Sequence, residues 1–327
     1  MSVSQFLYER IVHGGTINER GGKPEPQFAL PATVNWIHAL KLVAQAHNLT
    51  FLTASARYEG VAKRTMPEFE QNTIFEQLLL SLHHLSALNE LRQVGRASDV
   101  GRVGILIWYY GLSNAATAMV AAQSGDFKED HTGTARLWDE QISKPRFAMP
   151  PFDLRVSTLV EKKYKSEIEG YRAGRPTSLQ SKPNDFDSSV DVLAGYLSGT
   201  AKWYAWSSTE RVRSTSDFKD LGVNDFRSKR ARDLRDASLE KKAVCFLHQA
   251  VRYRGKANYR DALFLAYGAS ANTIMADFAD DLQFTLKSFL AMAGAFCRMK
   301  LGRDLWDIFV ADVEKHRAFT LGPKEVW

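Results

Sequence analysis

The chain has 327 residues, 45% hydrophobic and 24% charged, so it can bury a substantial core and by length could form two domains. These fractions are those of a globular protein and exclude a disordered or fibrous one. The net charge of +6 is unevenly spread: Glu210 to Arg260 holds 14 Lys or Arg against 7 Asp or Glu, which makes this segment +7 and the remainder −1. A localised basic excess is expected either of a phosphate-binding surface or of a solvated face of mixed-charge helices. Cys245 and Cys297 stand far apart with no CxxC spacing, which suits a reducing cytoplasm and two thiols packed as small hydrophobes. The opening MSVSQFLYERIVHGG carries charges inside its only apolar patch and does not read as a secretory signal, so a cytoplasmic location is expected.

Residues 1–31 are punctuated by Gly14-Gly15, Gly21-Gly22, Pro24, Pro26 and Pro31 too often for a long element. Helical pattern begins near Thr33, a candidate cap for TVNWIHALKLVAQAHNL, with Trp36, Leu40, Val43 and Ala44 on one stripe. A second helix opens around Pro67, a residue favoured in a first helical turn, and runs to about Arg92 with Ile74, Leu78, Leu82, Leu85 and Leu88 at spacings of three and four. His83 and His84 are adjacent and therefore point about 100° apart on that helix.

After a polar break at Gly95–Gly101 comes Val103–Gly125, the longest run without a charge. Roughly 20 apolar residues can cross a bilayer, so the run is either a membrane span or the central helix of a soluble core. Its glycines, Ser113, Asn114, Thr117 and alanine-rich second half make its transfer to lipid weak. The expectation is a helix buried on all faces, with Tyr109 and Tyr110 as packing residues and no membrane involved.

A turn follows at Asp126–Thr134, then a short helix TARLWDEQI, a proline-broken stretch Lys144–Asp153, and a helix from Val156 to Tyr171. Ala173–Asp187, with Gly174, Pro176 and Pro183, is the best candidate boundary. It divides an irregular segment 1–31 and a helical domain 32–172 from a second helical domain 188–327. Helices resume with SSVDVLAGYLSGTAKWYAW. Phe226–Glu240 and Lys241–Tyr253 then read as one long helix or two in line, turning Leu234, Val244, Leu247 and Val251 to the core. Apolar helix is expected from Tyr259 to near Gly302, with Phe278, Leu282, Leu286, Phe289 and Ala293 in register, and a last helix over Asp304–Phe319. Period-two alternation is nearly absent, so the fold class expected is all-α, a helical bundle or bundles.

Leu263–Ala279 (LFLAYGASANTIMADFA) echoes Ile105–Ala121 (ILIWYYGLSNAATAMVA), and Leu247-His248 echoes Leu82-His83 upstream. The echo fits two related bundles packed together. It fits equally two buried helices that share small and aromatic residues because packing selects them.

The stretch WYYGLSNAATAMVAAQSGDFKEDHTGTARLW resembles proteins of the HEPN superfamily and the YaaC-like proteins near it. Their pattern is a helix with a Tyr-Tyr pair and small residues, a loop with His-x-Gly, and a short helix. Tyr109, Tyr110, Ala115, Ala118, His131 and Gly133 fall on it, within about residues 70–145. The resemblance implies a helical bundle that dimerises and a role in binding or acting on RNA, in antiviral defence or toxin–antitoxin systems. Catalytic HEPN ribonucleases carry an Arg and, about four to six residues on, a His. None of the histidines 13, 38, 47, 83, 84, 131, 248 and 316 has an Arg at that spacing. Lys242 and His248 come nearest, but lysine lacks the planar guanidinium fork. The motif does not support ribonuclease activity.

No HExxH, CxxC, EF-hand, GxxxxGK[ST] or GxGxxG pattern occurs, so neither metal nor cofactor is expected. Asp277, Asp280 and Asp281 can share a helix face, as a cation site or as a solvated acidic face. Neither cysteine has a visible base partner. His131, between Asp130 and Thr132 with Glu129 beside them, would have its imidazolium favoured and is a candidate for acid–base chemistry or for tying a loop to the bundle. His248 is the second candidate.

VRYRGKANYRD sets Arg252, Arg254, Lys256 and Arg260 beside Tyr253 and Tyr259. Cations interleaved with aromatics suit a single-stranded backbone with stacked bases, and Gly255 suggests a loop or helix junction. Alternatively the arginines pair with Asp233, Asp236 or Asp261 at a helix turn. Three readings follow: an RNA-binding protein, a protein-interaction scaffold or neutralising subunit, and an unorthodox ribonuclease using His131 or His248.

Overall fold

The structure is a computed structural model that describes residues 30–327 except 94, 95, 173, 175, 259–264 and 266–270. Among the described residues it is all-helical, apart from one antiparallel bridge between Val156 and Val244. The helices are α1 (Leu30–Ala46), α2 (Phe51–Arg57), α3 (Glu68–Leu91), α4 (Ala97–Ser124), α5 (His131–Trp138), α6 (Glu161–Glu169), α7 (Phe186–Arg213), α8 (Ser216–Lys219), α9 (Lys229–Glu240), α10 (Phe246–Asn258), α11 (Ala271–Ile274), α12 (Phe278–Leu301) and α13 (Arg303–His316).

The charge-free run forms α4, which is the axis of the molecule. Every residue from Ala115 to Ala122 is buried. α3 packs along one side of α4, α12 along another, and α10 and α5 meet it elsewhere. α4 is long and apolar enough to cross a membrane, yet in this fold protein covers most of it. Small residues make the close approach possible. A β-carbon on Gly111 would stand 2.6 Å from a methyl of Leu286 on α12 and 3.3 Å from His84 Cβ on α3, and the Gly111 carbonyl accepts from the buried Ser81 hydroxyl at 2.6 Å. The C-terminal carbonyls of Ala121 and Ala122 accept from Arg64 Nη2 at 2.8 Å and Nε at 3.0 Å. A cation here opposes the negative end of the helix dipole.

The expected stripes are in the core. Ile74, Leu78, Leu82, Leu85 and Leu88 of α3, and Phe278, Leu282, Leu286, Phe289 and Ala293 of α12, are all buried. Other expectations need correction. α1 begins at Leu30, so Thr33 lies inside it rather than capping it. Residues 156–160 are extended, since Val156 is tied to Val244, and α6 starts only at Glu161. That same bridge interrupts the basic segment between α9 and α10, so the single long helix does not form. Gly255 falls within α10 rather than at a junction.

Residues from both sides of 173–187 join one hydrophobic core that runs from Leu30 to Val326, because α12 packs on α1, α2, α3 and α4. The candidate boundary therefore separates no two cores. A small satellite cluster of Val212, Phe218 and Ala231 lies beneath α8 and α9, with Leu234 against it rather than in the main core. The echo at Leu263–Ala279 lies partly outside the described residues. Its described part is not one helix, since α11 ends at Ile274 and α12 starts at Phe278.

A candidate nucleic-acid interface on both flanks of α10

Successive residues of a helix point about 100° apart, so the run Arg252-Tyr253-Arg254 cannot present one face. Tyr253 turns inward. It is buried, its rings contact Trp36 and Trp108, and its hydroxyl donates to the Thr33 carbonyl at 2.9 Å. A ring fixed in the core has no face to offer a base, which corrects its expected stacking role. Arg252 and Arg254, two residues apart, leave on opposite flanks. The Lys256 side chain, Tyr259 and Arg260 lie outside the described residues.

On one flank Arg254 meets α4 and α5. Its guanidinium carbon stands 5.0 Å from the Tyr109 ring centroid and its Nη1 is 3.5 Å from the Tyr110 hydroxyl, while its Nε is buried with no partner among the described residues. Tyr109 is buried, and burial pushes its hydroxyl up to about 12. Tyr110 is 38% exposed rather than a packing residue. His131 is the first residue of α5, whose cap is Asp130: its Oδ1 accepts from Gly133 N at 2.7 Å. The His131 ring lies 5.2 Å from Tyr109 and 5.8 Å from Tyr110. His84 of α3 stacks on Tyr110 at 6.2 Å. The imidazolium expected at His131 is disfavoured instead: burial and the nearby Arg254 push its pKa below the ordinary value, and Asp130 opposes them only in part. His84 is lowered too, by burial and by His83.

On the other flank Arg252 meets α7. Its Nη1 is 3.3 Å from Thr200 Oγ1 and its guanidinium carbon 5.9 Å from the Trp203 ring. Thr200, Trp203, Tyr204, Ser207 and Arg211 follow one another at helical spacing along α7. Trp203 and Tyr204 are half-buried and meet edge to face at 4.8 Å. Burial pushes the Tyr204 hydroxyl far up, while Arg252 and Arg211 pull it back. Lys242, between α9 and α10, is held below its usual value by burial and then by Arg211. Two cations thus crowd each other beside half-buried aromatic rings. Of the acids that could pair with these arginines instead, Asp236 pairs with Arg235, and Asp261 lies outside the described residues.

His248 is in the interior, under Tyr204, whose ring it meets at 5.5 Å. Contrary to expectation, one cysteine does have a base beside it. Cys245 precedes α10, and its N–H donates to His248 Nδ1 at 3.3 Å while its Sγ lies 3.1 Å from the same nitrogen. This C-x-x-H pair occupies the positions of a capping box, with the third side chain of the helix reaching back to the preceding N–H. Burial lowers His248 to about 4 and raises the Cys245 thiol well above its usual range. A neutral thiol and a neutral imidazole, both buried, hold a helix end rather than activate a nucleophile.

The three aspartates form no vacant acidic face. Asp277 pairs with Lys182 at 3.0 Å, Asp280 with Arg92, and buried Asp281 with Lys41 at 2.7 Å and His38 at 2.8 Å. No group of His, Cys, Asp and Glu among the described residues is arranged to hold a metal. His84, Trp203, Tyr204, Arg211 and Lys242 were missed in the sequence reading of the site. The stripe on α7 was visible in the spacing of Trp203, Tyr204 and Arg211, whereas nothing local connects His84 to His131. Comparison with family models, with curated proteins and with solved structures returns no match for the chain.

Proposed function

We propose that the chain is a cytoplasmic, HEPN-like helical protein that binds nucleic acid, RNA in preference, in an antiviral defence or toxin–antitoxin type of system, acting as a homodimer. The observation that carries the binding is the interleaving of Arg252, Arg211 and Lys242 with Trp203 and Tyr204 on the α7–α10 flank. Cations that track a backbone beside rings that accept bases are what a single strand requires. The HEPN-like reading is supported by the contact of Tyr109 and Tyr110 with His131 across α4 and α5. The test is binding of a single-stranded oligonucleotide across a salt series. Affinity falls steeply as salt rises if phosphates are neutralised; a flat response, or no binding at low salt, sinks the reading.

A second reading, a protein-interaction scaffold or neutralising subunit, is favoured by the exposed apolar side chains Leu52, Phe69 and Ile308. Light scattering with substitution of these three by serine separates the two, since RNA binding does not need them. An unorthodox ribonuclease would depend on His131, because His248 is buried. Cleavage unchanged by alanine at both histidines removes that reading.

A further inference from the structure

Against Tyr110 the fold sets three nitrogen groups from three helices: the rings of His84 from α3 and His131 from α5 lie 6.2 Å and 5.8 Å from its ring, and Arg254 from α10 reaches its hydroxyl. Neither imidazole has a hydrogen-bond partner among the described residues, and Arg254 Nε is buried without one. Buried polar groups are ordinarily paired, so the orphaned Arg254 Nε, with two half-buried imidazoles against the same tyrosine, leaves hydrogen-bonding capacity for a ligand. Asp130, next to His131, is engaged in capping α5 through Gly133 N.

We infer that His84, His131 and Arg254, which all meet Tyr110, form a binding site for a phosphate monoester group. Three donor groups from three helices suit the three oxygens of a terminal phosphate; a carboxylate offers two in one plane, and an internal phosphodiester offers two with a single charge. Arginine supplies a permanent charge and a fork that fits phosphate. The imidazoles supply charge on demand. Neutral in the free protein, they take up protons when a dianion arrives, since a nearby opposite charge favours the charged form. The groups that face them are Arg254, Tyr109, Tyr110 and Asp130 at His131, and His83 and Tyr110 at His84. The site deepens the nucleic-acid reading and rests on it for the polymer that carries the phosphate.

The test compares 5′-phosphorylated with 5′-hydroxyl oligouridylate, and uridine monophosphate and inorganic phosphate with uridine, following the His84 and His131 ring resonances. The phosphorylated end is expected to bind about tenfold more tightly, the value of one charge-assisted hydrogen bond. That preference should be larger at about pH 6.5 than at about pH 8 and absent from an Arg254→Gln, His131→Gln variant of native circular dichroism. If neither oligonucleotide binds but uridine monophosphate or phosphate shifts both imidazole titrations upward, the site stands and the polymer reading falls. If both ends bind equally and phosphate moves neither ring, the site is refuted while the polymer reading stands. A preference that survives in the double variant also refutes it.

Discussion

Trp108 of α4 donates its indole N–H to Thr285 of α12 at 2.9 Å, and both side chains are fully buried. The two residues are far apart in the chain, so this bond joins the first half of the sequence to the second at the centre of one core. Thr285 in turn donates to the Asp281 carbonyl within its own helix at 2.9 Å, which fixes the hydroxyl for the indole. Thr285→Val keeps the shape and leaves the indole unpaired. It should cost about 1–3 kcal/mol, read as a lower denaturant midpoint with unchanged slope. An unaltered midpoint would show that the halves are held by packing alone.

The Cys245–His248 pair makes a pH prediction. The folded-state pKa of His248 is about 4, below the unfolded value near 6.5, so between these limits the unfolded chain binds the extra proton. Stability is therefore fully present above about pH 6.5 and falls as pH drops towards about 4, by on the order of 3 kcal/mol. His84 and His131 are shifted in the same direction, so the informative quantity is a difference. His248→Gln retains an acceptor for the Cys245 N–H and should lose less stability than the wild type across this window. Parallel curves would count against the assignment. In the native state both cysteines should resist thiol reagents, being buried.

Two glycines should respond oppositely to alanine. Gly125 ends α4 with φ of +80°, and a β-carbon there would come within 2.5 Å of Glu70, which itself pairs with Arg64. Gly125→Ala should destabilise by about 1–2 kcal/mol. Gly255, inside α10 with open space around it, should gain about 0.5–1 kcal/mol as alanine. Thermal unfolding of the two variants checks both signs; a loss at Gly255 would show that the backbone there is not helical.

The core was legible because it obeys a periodicity. Ile74 to Leu88 and Phe278 to Ala293 repeat at helical spacing, and a long charge-free run set among such amphipathic helices fits the middle of a bundle. The break between α9 and α10 was not legible, since it depends on Val244 meeting Val156, a pairing between distant segments that leaves no local pattern. The site failed to read for a related reason. Arg252-Tyr253-Arg254 looks like one cationic, aromatic ribbon in sequence, but a helix divides it among two flanks and the core. Likewise His131 stands beside two acids in the sequence, while in the fold burial and Arg254 outweigh the pull of Asp130.

If the proposed nucleic-acid reading holds, Trp203 and Arg252 should affect binding in different ways, although they touch. Arg252 acts as charge, so Arg252→Ala should weaken binding and reduce the slope of log affinity against log salt by about 1. Trp203 acts as a stacking surface, so Trp203→Ala should cost about 1–3 kcal/mol of affinity while leaving the slope unchanged. Because the guanidinium lies 5.9 Å from the indole centroid, the double variant should lose less than the sum of the two single losses. Affinities measured over a salt series for the wild type, both single variants and the double variant give all three quantities. If Arg252→Ala lowers affinity with no change in slope, the side chain serves to seat Trp203 and not to meet phosphate, and the strand must follow Arg211 and Lys242 instead.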